Sequence, residues 1–327
     1  MTDPIRPFLR RTDWADAPLA PLAGDASSRR YYRLTGASGP AILMQDPNPG
    51  TVSTFAAIAR HLHQSGLSAP RILAEDVKAG LLLLEDLGDD DLASRATAHP
   101  TEEPELYAAA VDTLVAFQRI TPPAGIPAYS AASMAMMIAP AAEWYARDPG
   151  LAGPLAEAAL APLMAVFDTG AMVPCHRDFH AENLLWLPDR TGAARIGLLD
   201  FQDAFIGPAS YDLASLITDA RRDLAPAART MALTRFAALG NLNPANLARD
   251  LAVMGAQRNL RILGIFARLS QLMGKPRYID LIPRVWAHVQ ADLAHPDLAD
   301  LRCLVQDCLP PPDAVHLDRL RHPCPTP

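Results

Sequence analysis

The pattern of apolar and polar positions changes along the chain. Between Leu19 and Leu87, short apolar runs of strand length alternate with turn residues, and one helix-like segment follows the third run. Beyond Leu92 the sequence is alanine-rich with helical periodicity, interrupted by the two short apolar runs "NLLWL" and "RIGLLD". This order predicts an α+β protein, with a small antiparallel sheet and one helix first and a larger, mainly helical part after it.

The same pattern predicts the organisation of the chain. We expect an N-terminal lobe over 1–88, a C-terminal lobe over 89–310 and a proline-rich tail over 311–327. The helix of the first lobe is predicted over 51–66. Thr51 or Ser53 is its expected N-cap, and Gly66 lies just past its end.

Charge and composition exclude several classes of protein. The net charge of −7 argues against a general nucleic-acid coat and against a polybasic membrane anchor. The N-terminus resembles no secretion signal, and no uninterrupted apolar stretch has the length that spans a bilayer. We therefore expect a soluble cytoplasmic protein with no nucleic-acid or membrane partner, and nothing in the sequence indicates an obligate protein partner.

The stretch "CHRDFHAENLLWL", 175–187, has the spacing HRDxxxxN of a phosphoryl-transfer catalytic loop. The turn residues "PDRTGAA" that follow predict a hairpin, which returns Asp200 to the side of Asn183. In this interpretation Asp178 is the catalytic base, and Asn183 and Asp200 hold Mg²⁺ through oxygen ligands.

Two other interpretations of this stretch remain open at this point. His176, Asp178 and His180 form an HxDxH pattern that suits a hydrolytic metal site. The stretch also matches an ordinary polar loop before a strand. The metal-hydrolase interpretation leaves Asp200 and the strand-rich first lobe unexplained.

At this point the sequence resembles the aminoglycoside phosphotransferase and choline kinase family, which shares the bilobal protein-kinase-like fold. More narrowly, it resembles the bacterial kinases that phosphorylate the anomeric hydroxyl of N-acetylmuramate and N-acetylglucosamine in cell-wall sugar recycling. The matching segments are "RRYYRL", "GLLLLEDLGDDDL", "CHRDFHAENLLWL", "GLLDFQDAFIGPASYDLASL" and "QRNLRILGIFARL". The resemblance implies ATP and Mg²⁺ as cofactors and a small amino sugar as substrate. Another acceptor, such as an aminoglycoside or choline, and a nucleotide-binding pseudokinase are the alternatives.

The resemblance also implies a nucleotide site in the first lobe. The turn "AGDASSRRYY" corresponds to the segment that covers the phosphates, and "LLLLEDLG" to the hinge that holds the adenine through backbone groups. The implied nucleotide-binding residues are Gly24, Ser27, Ser28, Arg29, Arg30, Met44, Glu85 and Leu87.

One position departs from the family. A kinase carries a lysine on the third strand that meets the phosphates and pairs with a glutamate on the next helix. Here that position falls at or next to Met44, the chain has only two lysines, Lys78 and Lys275, and 51–66 contains no acidic residue. Our hypothesis is that Arg29 or Arg30, or else metal, supplies the missing charge.

The remaining candidates concern the acceptor and the loop scaffold. Helical projection of "GAQRNLRILGIFARLSQ" places Arg258 and Arg261 on one arc, where they suit the lactyl carboxylate of N-acetylmuramate; a solvated polar face is the alternative. His180, Gln202 and Asp203 are further candidates for contact with the acceptor. The structural candidates are His176, Arg177 and Asp212, the last as a support for the catalytic-loop backbone.

Overall fold

The computed structural model describes residues 4–22 and 29–322. The chain forms two compact units that are assembled from non-contiguous segments. Unit 1 comprises 1–100, 123–125 and 181–203, and unit 2 comprises the rest. The predicted lobes, 1–88 and 89–310, are each continuous in sequence, unlike these units, and their boundaries stay predictions.

Unit 1 is built on a five-stranded antiparallel sheet with the order β1-β2-β3-β5-β4. The predicted order of three strands, a helix and two strands is confirmed. The elements are α1 (Ile5–Leu9), β1 (Leu19–Pro21), β2 (Arg30–Gly36), β3 (Gly39–Gln45), α2 (Pro49–Gln64), β4 (Ile72–Asp76), β5 (Leu81–Glu85) and α3 (Leu92–Ala98).

The two faces of this sheet have different roles because successive side chains of a strand alternate. Leu34, Leu43 and Leu83 lie on one face, where they form a buried core with Phe8 and Leu9 of α1. Met44 of β3 pairs with Tyr31 and Leu82 and therefore lies on the opposite face. The second face is therefore the one that carries Met44, the predicted position of the missing lysine.

Helix α2 begins earlier than the sequence pattern predicts. Its N-cap is Asn48, whose side chain accepts a hydrogen bond from the backbone N–H of Gly50, and Pro49 occupies the first helical position. The predicted N-cap at Thr51 or Ser53 is therefore wrong. Gly66 lies past the helix end with φ of +79°, a conformation that glycine adopts without strain.

The predicted hairpin after the catalytic loop is present in unit 1. Its strands are β7 (Leu184–Trp186) and β8 (Ile196–Leu198). Leu184 pairs with Leu198, and the backbone N–H of Leu199 donates to the carbonyl of Asn183 over 3.0 Å. The hairpin therefore closes next to the residues that flank it.

Unit 2 is mainly helical, as predicted, with one short antiparallel pair of strands. This pair is β6 (Met172–Cys175) and β9 (Phe205–Pro208). The helices are α4 (Glu103–Arg119), α5 (Ala131–Met136), α6 (Ala152–Thr169), α7 (Ser210–Ile217), α8 (Pro226–Gly240), α9 (Pro244–Met273), α10 (Ile282–Leu293), α11 (Ala299–Cys308) and α12 (Ala314–Arg321).

Two segments of unit 2 bear on the sequence expectations. Pro149–Thr169 is long and apolar enough, by length and composition alone, to cross a membrane, but Glu157 and Asp168 interrupt it, so it is not the uninterrupted apolar stretch that was expected to be absent. Leu155, Leu163 and Val166 of this segment are buried within the unit. In the predicted tail, α12 forms behind the N-cap Asp313, whose side chain accepts from the backbone N–H of His316.

Candidate active site

Asn183 and Asp200 lie at the open end of the β7–β8 hairpin, where the Leu199 to Asn183 hydrogen bond holds the two segments together. Asp200 has φ of +60°, a left-handed conformation that is uncommon outside glycine and is concentrated at functional sites. Its side chain is 47% exposed, so a ligand can reach it. An amide and a carboxylate oxygen are donors that suit Mg²⁺, and the residues therefore fit the implied metal.

The two acceptor candidates that follow Asp200 differ in their surroundings. Gln202 is buried, and its side-chain amide donates to Oδ1 of Asp200 over 2.7 Å. Asp203 is exposed. Gln202 thus orients the carboxylate of Asp200, whereas Asp203 is open to solvent.

Arg29 and Arg30 occupy different environments. Nη1 of Arg29 lies 3.5 Å from Oδ1 of Asp200, and Nε donates to Oδ2 of Asp46 over 3.2 Å. Arg30 is exposed, and Met44 is fully buried. Of the two arginines, Arg29 is therefore the one that stands beside the predicted metal ligand.

The predicted hinge begins where β5 ends. The backbone N–H of Glu85 donates to the carbonyl of Arg71, and its carboxylate pairs with Arg190 over 2.7 Å. Leu87 packs near Gly197, where an added Cβ would lie 3.1 Å from Leu87 Cδ1. The backbone N–H and carboxylate of Glu85 are thus already hydrogen-bonded within unit 1, as is the N–H of Gly88, which donates to Oδ1 of Asp86 over 2.9 Å. Gly24, Ser27 and Ser28 lie outside the described residues.

In unit 2, the first half of the catalytic loop is held by a buried carboxylate. Asp212, fully buried on α7, accepts the backbone N–H of His176 over 2.6 Å and that of Arg177 over 2.9 Å. Arg177 has φ of +82°, a strained conformation for a side chain of this size. The two hydrogen bonds fix this conformation immediately before Asp178.

The ring of His176 is part of the apolar core. It is fully buried and lies edge-on to the rings of Phe117 and Phe179, at centroid distances of 6.0 and 5.6 Å.

Burial raises the pKa of the Asp212 carboxyl to about 7, against the lowering effect of its two backbone donors. His176, Arg177 and Asp212 thus form the scaffold that presents Asp178.

Replacing Asp212 with Ala is expected to destabilise the protein by about 2–4 kcal/mol, because two buried backbone N–H groups lose their acceptor. Urea unfolding followed by circular dichroism measures this change. Asp307→Ala, at an exposed position of α11, is the control and should stay within about 0.5 kcal/mol of the wild type. Equal stability of the two variants would contradict the assigned support.

A cluster of cationic side chains lies beside this loop in unit 2. Nη1 of Arg221 lies 3.4 Å from Nε2 of His180, and the Arg258 charge acts on both His180 and Asp212. Burial, then Arg221 and Arg258, lower the pKa of His180 well below its ordinary value, so its imidazole is neutral at pH 7. Sequence reasoning missed Arg221, which lies outside the helix that was projected.

Arg258 is only 6% exposed, which excludes the solvated polar face that the helical projection left open for it. Within residues 4–22 and 29–322, its buried Nε has no hydrogen-bond partner. Arg261, one turn further along α9, is partly buried, whereas Arg268 is exposed. A buried guanidinium nitrogen in this state is suited to an anionic ligand.

The hydrolase interpretation has no support in this geometry. Across the part of the chain that the structure describes, no three His, Cys, Asp and Glu side chains are grouped to hold a metal ion. The His176 ring, which the HxDxH site requires, instead packs among phenylalanines.

Comparison with known proteins identifies the family. The model of the phosphotransferase enzyme family (APH) matches residues 18–249. The chain belongs to this family. It is therefore a phosphotransferase, and the predicted protein-kinase-like fold class is confirmed.

Two curated relatives match nearly the whole chain. An N-acetylmuramate/N-acetylglucosamine kinase of Caulobacter vibrioides is 39% identical, covering 90% of this chain and 93% of the relative. The enzyme of the same name from Pseudomonas aeruginosa is 33% identical, covering 88% of each chain.

Solved structures show the same fold at low sequence identity. A choline/ethanolamine kinase family protein from Mesorhizobium loti has a TM-score of 0.64 at 16% identity, covering 98% of this chain and 99% of that one. A choline kinase from Streptococcus pneumoniae has a TM-score of 0.61 at 13% identity, covering 88% and 98%. At these identities the likeness concerns the fold alone.

Proposed function

We propose that this phosphotransferase moves the γ-phosphoryl group of ATP to the anomeric hydroxyl of N-acetylmuramate, N-acetylglucosamine or both. The observation that carries the proposal is the similarity over most of the chain to kinases named for these two sugars. The arginine cluster of unit 2, in which Arg258 is buried, supports an anionic acceptor such as N-acetylmuramate. The product is the sugar 1-phosphate, and the enzyme acts in the cytoplasm in the recycling of cell-wall sugars.

Asp178 is the proposed catalytic base. Its carboxylate orients the anomeric hydroxyl and accepts its proton, and this hydroxyl is more acidic than an ordinary alcohol, so a carboxylate suffices as base. The scaffold of Asp212 and Arg177 fixes the backbone that carries Asp178. The base is thereby oriented before the substrate binds.

Asn183 and Asp200 would hold Mg²⁺, and Gln202 would keep the Asp200 carboxylate in place. When bound, the ion offsets the negative charge of the ATP phosphates during transfer. Glu85 and Leu87 mark the hinge, and the loop with Gly24, Ser27 and Ser28 is proposed to cover the phosphates.

The lactyl carboxylate of N-acetylmuramate is proposed to bind at the cationic cluster of Arg221, Arg258 and Arg261. His180, neutral at pH 7, offers a ring nitrogen to the same ligand. Such a ligand would give the buried Nε of Arg258 an acceptor and would balance the positive charge that Arg221 and Arg258 place beside His180. N-acetylglucosamine lacks this carboxylate, so the cluster should matter far less for it.

Arg258→Gln is expected to lower kcat/KM for N-acetylmuramate by about 10- to 100-fold, the loss of one charge-assisted hydrogen bond. For N-acetylglucosamine we expect a change below about fivefold. Steady-state kinetics with each sugar measures the ratio of wild-type to variant kcat/KM. Arg268→Gln is the matched control, because Arg268 is exposed on the same helix. Equal losses for the two sugars would rule out a carboxylate contact by Arg258.

A panel of acceptors tests the proposed substrate class. ADP release is measured with N-acetylmuramate, N-acetylglucosamine, choline and an aminoglycoside at equal concentrations of MgATP. Turnover with either amino sugar and none with the two cations supports the proposal. Turnover with only a cationic acceptor would replace it with another small-molecule kinase, and nucleotide binding without any turnover would indicate a pseudokinase.

A further inference from the structure

No lysine stands at the strand position that carries the phosphate-binding lysine in kinases. That position falls at or next to Met44 of β3, which is fully buried and has Tyr31 and Leu82 as its cross-strand neighbours. Of the two lysines of the chain, Lys78 is exposed in the turn between β4 and β5 and Lys275 belongs to unit 2, and α2 carries no acidic residue. Phosphoryl transfer nevertheless requires positive charge at the phosphates.

The register of β2 and β3 brings a different cation to the same face. Tyr31 pairs with Met44 and Arg30 with Gln45, so Arg29 continues the face of Met44, opposite Asp46. Arg30 points to the other face, where Tyr32 packs against the core under α1. Strand alternation therefore separates two adjacent arginines that the sequence alone left equivalent.

The contacts of Arg29 connect the strand end with the predicted metal ligand. Nε donates to Oδ2 of Asp46 over 3.2 Å, and Nη1 lies 3.5 Å from Oδ1 of Asp200. The side chains of Arg29 and Asp46 are 10% and 4% exposed, whereas that of Asp200 is 47% exposed. The guanidinium is thus anchored at its buried edge and directed at the accessible carboxylate.

Asp46 is itself fixed by the surrounding backbone. Its Oδ1 accepts the N–H of Asn48 over 2.8 Å, and its own N–H donates to the carbonyl of Gly80 over 2.9 Å. Gly80, with φ of +75°, has no room for a side chain, because a Cβ there would overlap the Asp46 carbonyl. The carboxylate that holds Arg29 therefore has one defined position.

We propose that Arg29 binds the nucleotide phosphates and that Asp46 is its positioning residue, so that this pair replaces the strand lysine and helix glutamate of other kinases. The proposal deepens the nucleotide site of the proposed function and rests on it. Nη1 of Arg29 lies 3.5 Å from Oδ1 of Asp200, so it would be within reach of the oxygens of a nucleotide phosphate bound at that carboxylate. Arginine suits this task because its planar fork can bind a carboxylate and a phosphate at once.

Binding of nucleotide without acceptor tests the pair directly. The affinities of Mg–AMP-PNP and of adenosine are measured by calorimetry for wild type, Arg29→Ala, Asp46→Asn, the double variant Arg29→Ala/Asp46→Asn, the comparison variant Arg30→Ala and the control Arg10→Ala, at an exposed position just after α1. The double variant leaves no buried charge unpaired, which keeps the test valid if Arg29→Ala alone unfolds. Circular dichroism establishes that each variant is folded.

Loss of Arg29, alone or in the double variant, is expected to weaken Mg–AMP-PNP binding by about 10- to 100-fold and to leave adenosine binding unchanged. The kcat should fall by about 100-fold. Asp46→Asn should reduce the Mg–AMP-PNP affinity and kcat by about 10-fold each. Asp46→Glu, which keeps the negative charge, should show a smaller reduction of both than Asp46→Asn. Arg10→Ala should behave as wild type, and Arg30→Ala should weaken Mg–AMP-PNP binding far less than Arg29→Ala does, because the Arg30 side chain lies on the other face of the sheet.

Three results would overturn the proposal. The first is a ratio of Mg–AMP-PNP affinity to adenosine affinity that does not change when Arg29 is removed. The second is a loss of Mg–AMP-PNP affinity in Arg30→Ala as large as that in Arg29→Ala, and the third is wild-type affinity and kcat in Asp46→Asn. A wild-type protein that binds Mg–AMP-PNP but phosphorylates neither sugar would instead refute the acceptor assignment and leave the Arg29 test intact. A wild type that binds no nucleotide would overturn both.

Discussion

Replacing Asp178 with Asn is expected to lower kcat by about 10³-fold or more while MgATP still binds. Asparagine keeps the shape of the side chain and removes its ability to accept the proton of the attacking hydroxyl, a contribution of about 10²–10⁴ in rate. Positioning of that hydroxyl by a carboxylate is lost at the same time. The backbone around residue 178 should be preserved, because Asp212 and not Asp178 holds it.

Turnover with N-acetylmuramate or N-acetylglucosamine, together with calorimetry of Mg–AMP-PNP, measures the Asp178 prediction. Asp189→Asn, an exposed aspartate in the turn of the β7–β8 hairpin, is the matched control and should retain wild-type kcat. A kcat for Asp178→Asn within about tenfold of wild type would remove Asp178 from the role of base.

Replacing Asp200 with Ala is the second large effect, with an expected loss of about 10³-fold in kcat. The carboxylate of Asp200 is accessible, is hydrogen-bonded by Gln202 and is paired with Arg29. Its removal would take away a proposed Mg²⁺ ligand and leave the Arg29 guanidinium without this partner. We also expect AMP-PNP affinity to lose most of its dependence on Mg²⁺ concentration, because only Asn183 remains to hold the ion.

Calorimetry of AMP-PNP across a range of Mg²⁺ concentrations measures this second effect, and Asp189→Ala is its control. The two readouts separate loss of the ion from general damage to the fold. If the variant kept the Mg²⁺ dependence of wild type, the assignment of Asp200 as a metal ligand would be incorrect.

Local sequence pattern was sufficient for the structural features that depend on neighbouring residues. The turn residues of the β7–β8 hairpin are a local feature, and a hairpin must return its second strand to the start of the first, so the return of Asp200 to the side of Asn183 could be predicted. The sheet of unit 1 followed from strand-length apolar runs for the same reason. The start of α2 was misplaced because Asn48 and Pro49 compete as a stronger cap and first residue.

Features that depend on pairing between distant residues could not be seen in the pattern. Asp46 ends an apolar strand and is typical of a turn residue, yet it is buried because Arg29 compensates its charge from another strand. Counting alternate positions from Met44 through its partner Tyr31 does select Arg29 over Arg30, but only once the register is known. Arg221 follows a short helix and gave no periodic signal.

The predicted tail illustrates the same limit. The sequence indicated only a proline-rich tail there, whereas α12 forms because Asp313 caps it and Leu320 is buried. The hydroxyl of Tyr145 also donates to the carbonyl of Pro310 over 2.7 Å. Such long-range contacts leave no trace in the local composition of the tail.

The position of the new phosphate on the sugar tests the central claim most directly. Phosphorus NMR of the products formed from ATP with N-acetylmuramate and with N-acetylglucosamine reports which oxygen has been modified, through coupling of phosphorus to the sugar protons. The account predicts a phosphomonoester coupled to the anomeric proton for at least one of the two sugars. A phosphate on any other oxygen, or no phosphorylated sugar with either substrate while ATP is bound, would contradict it.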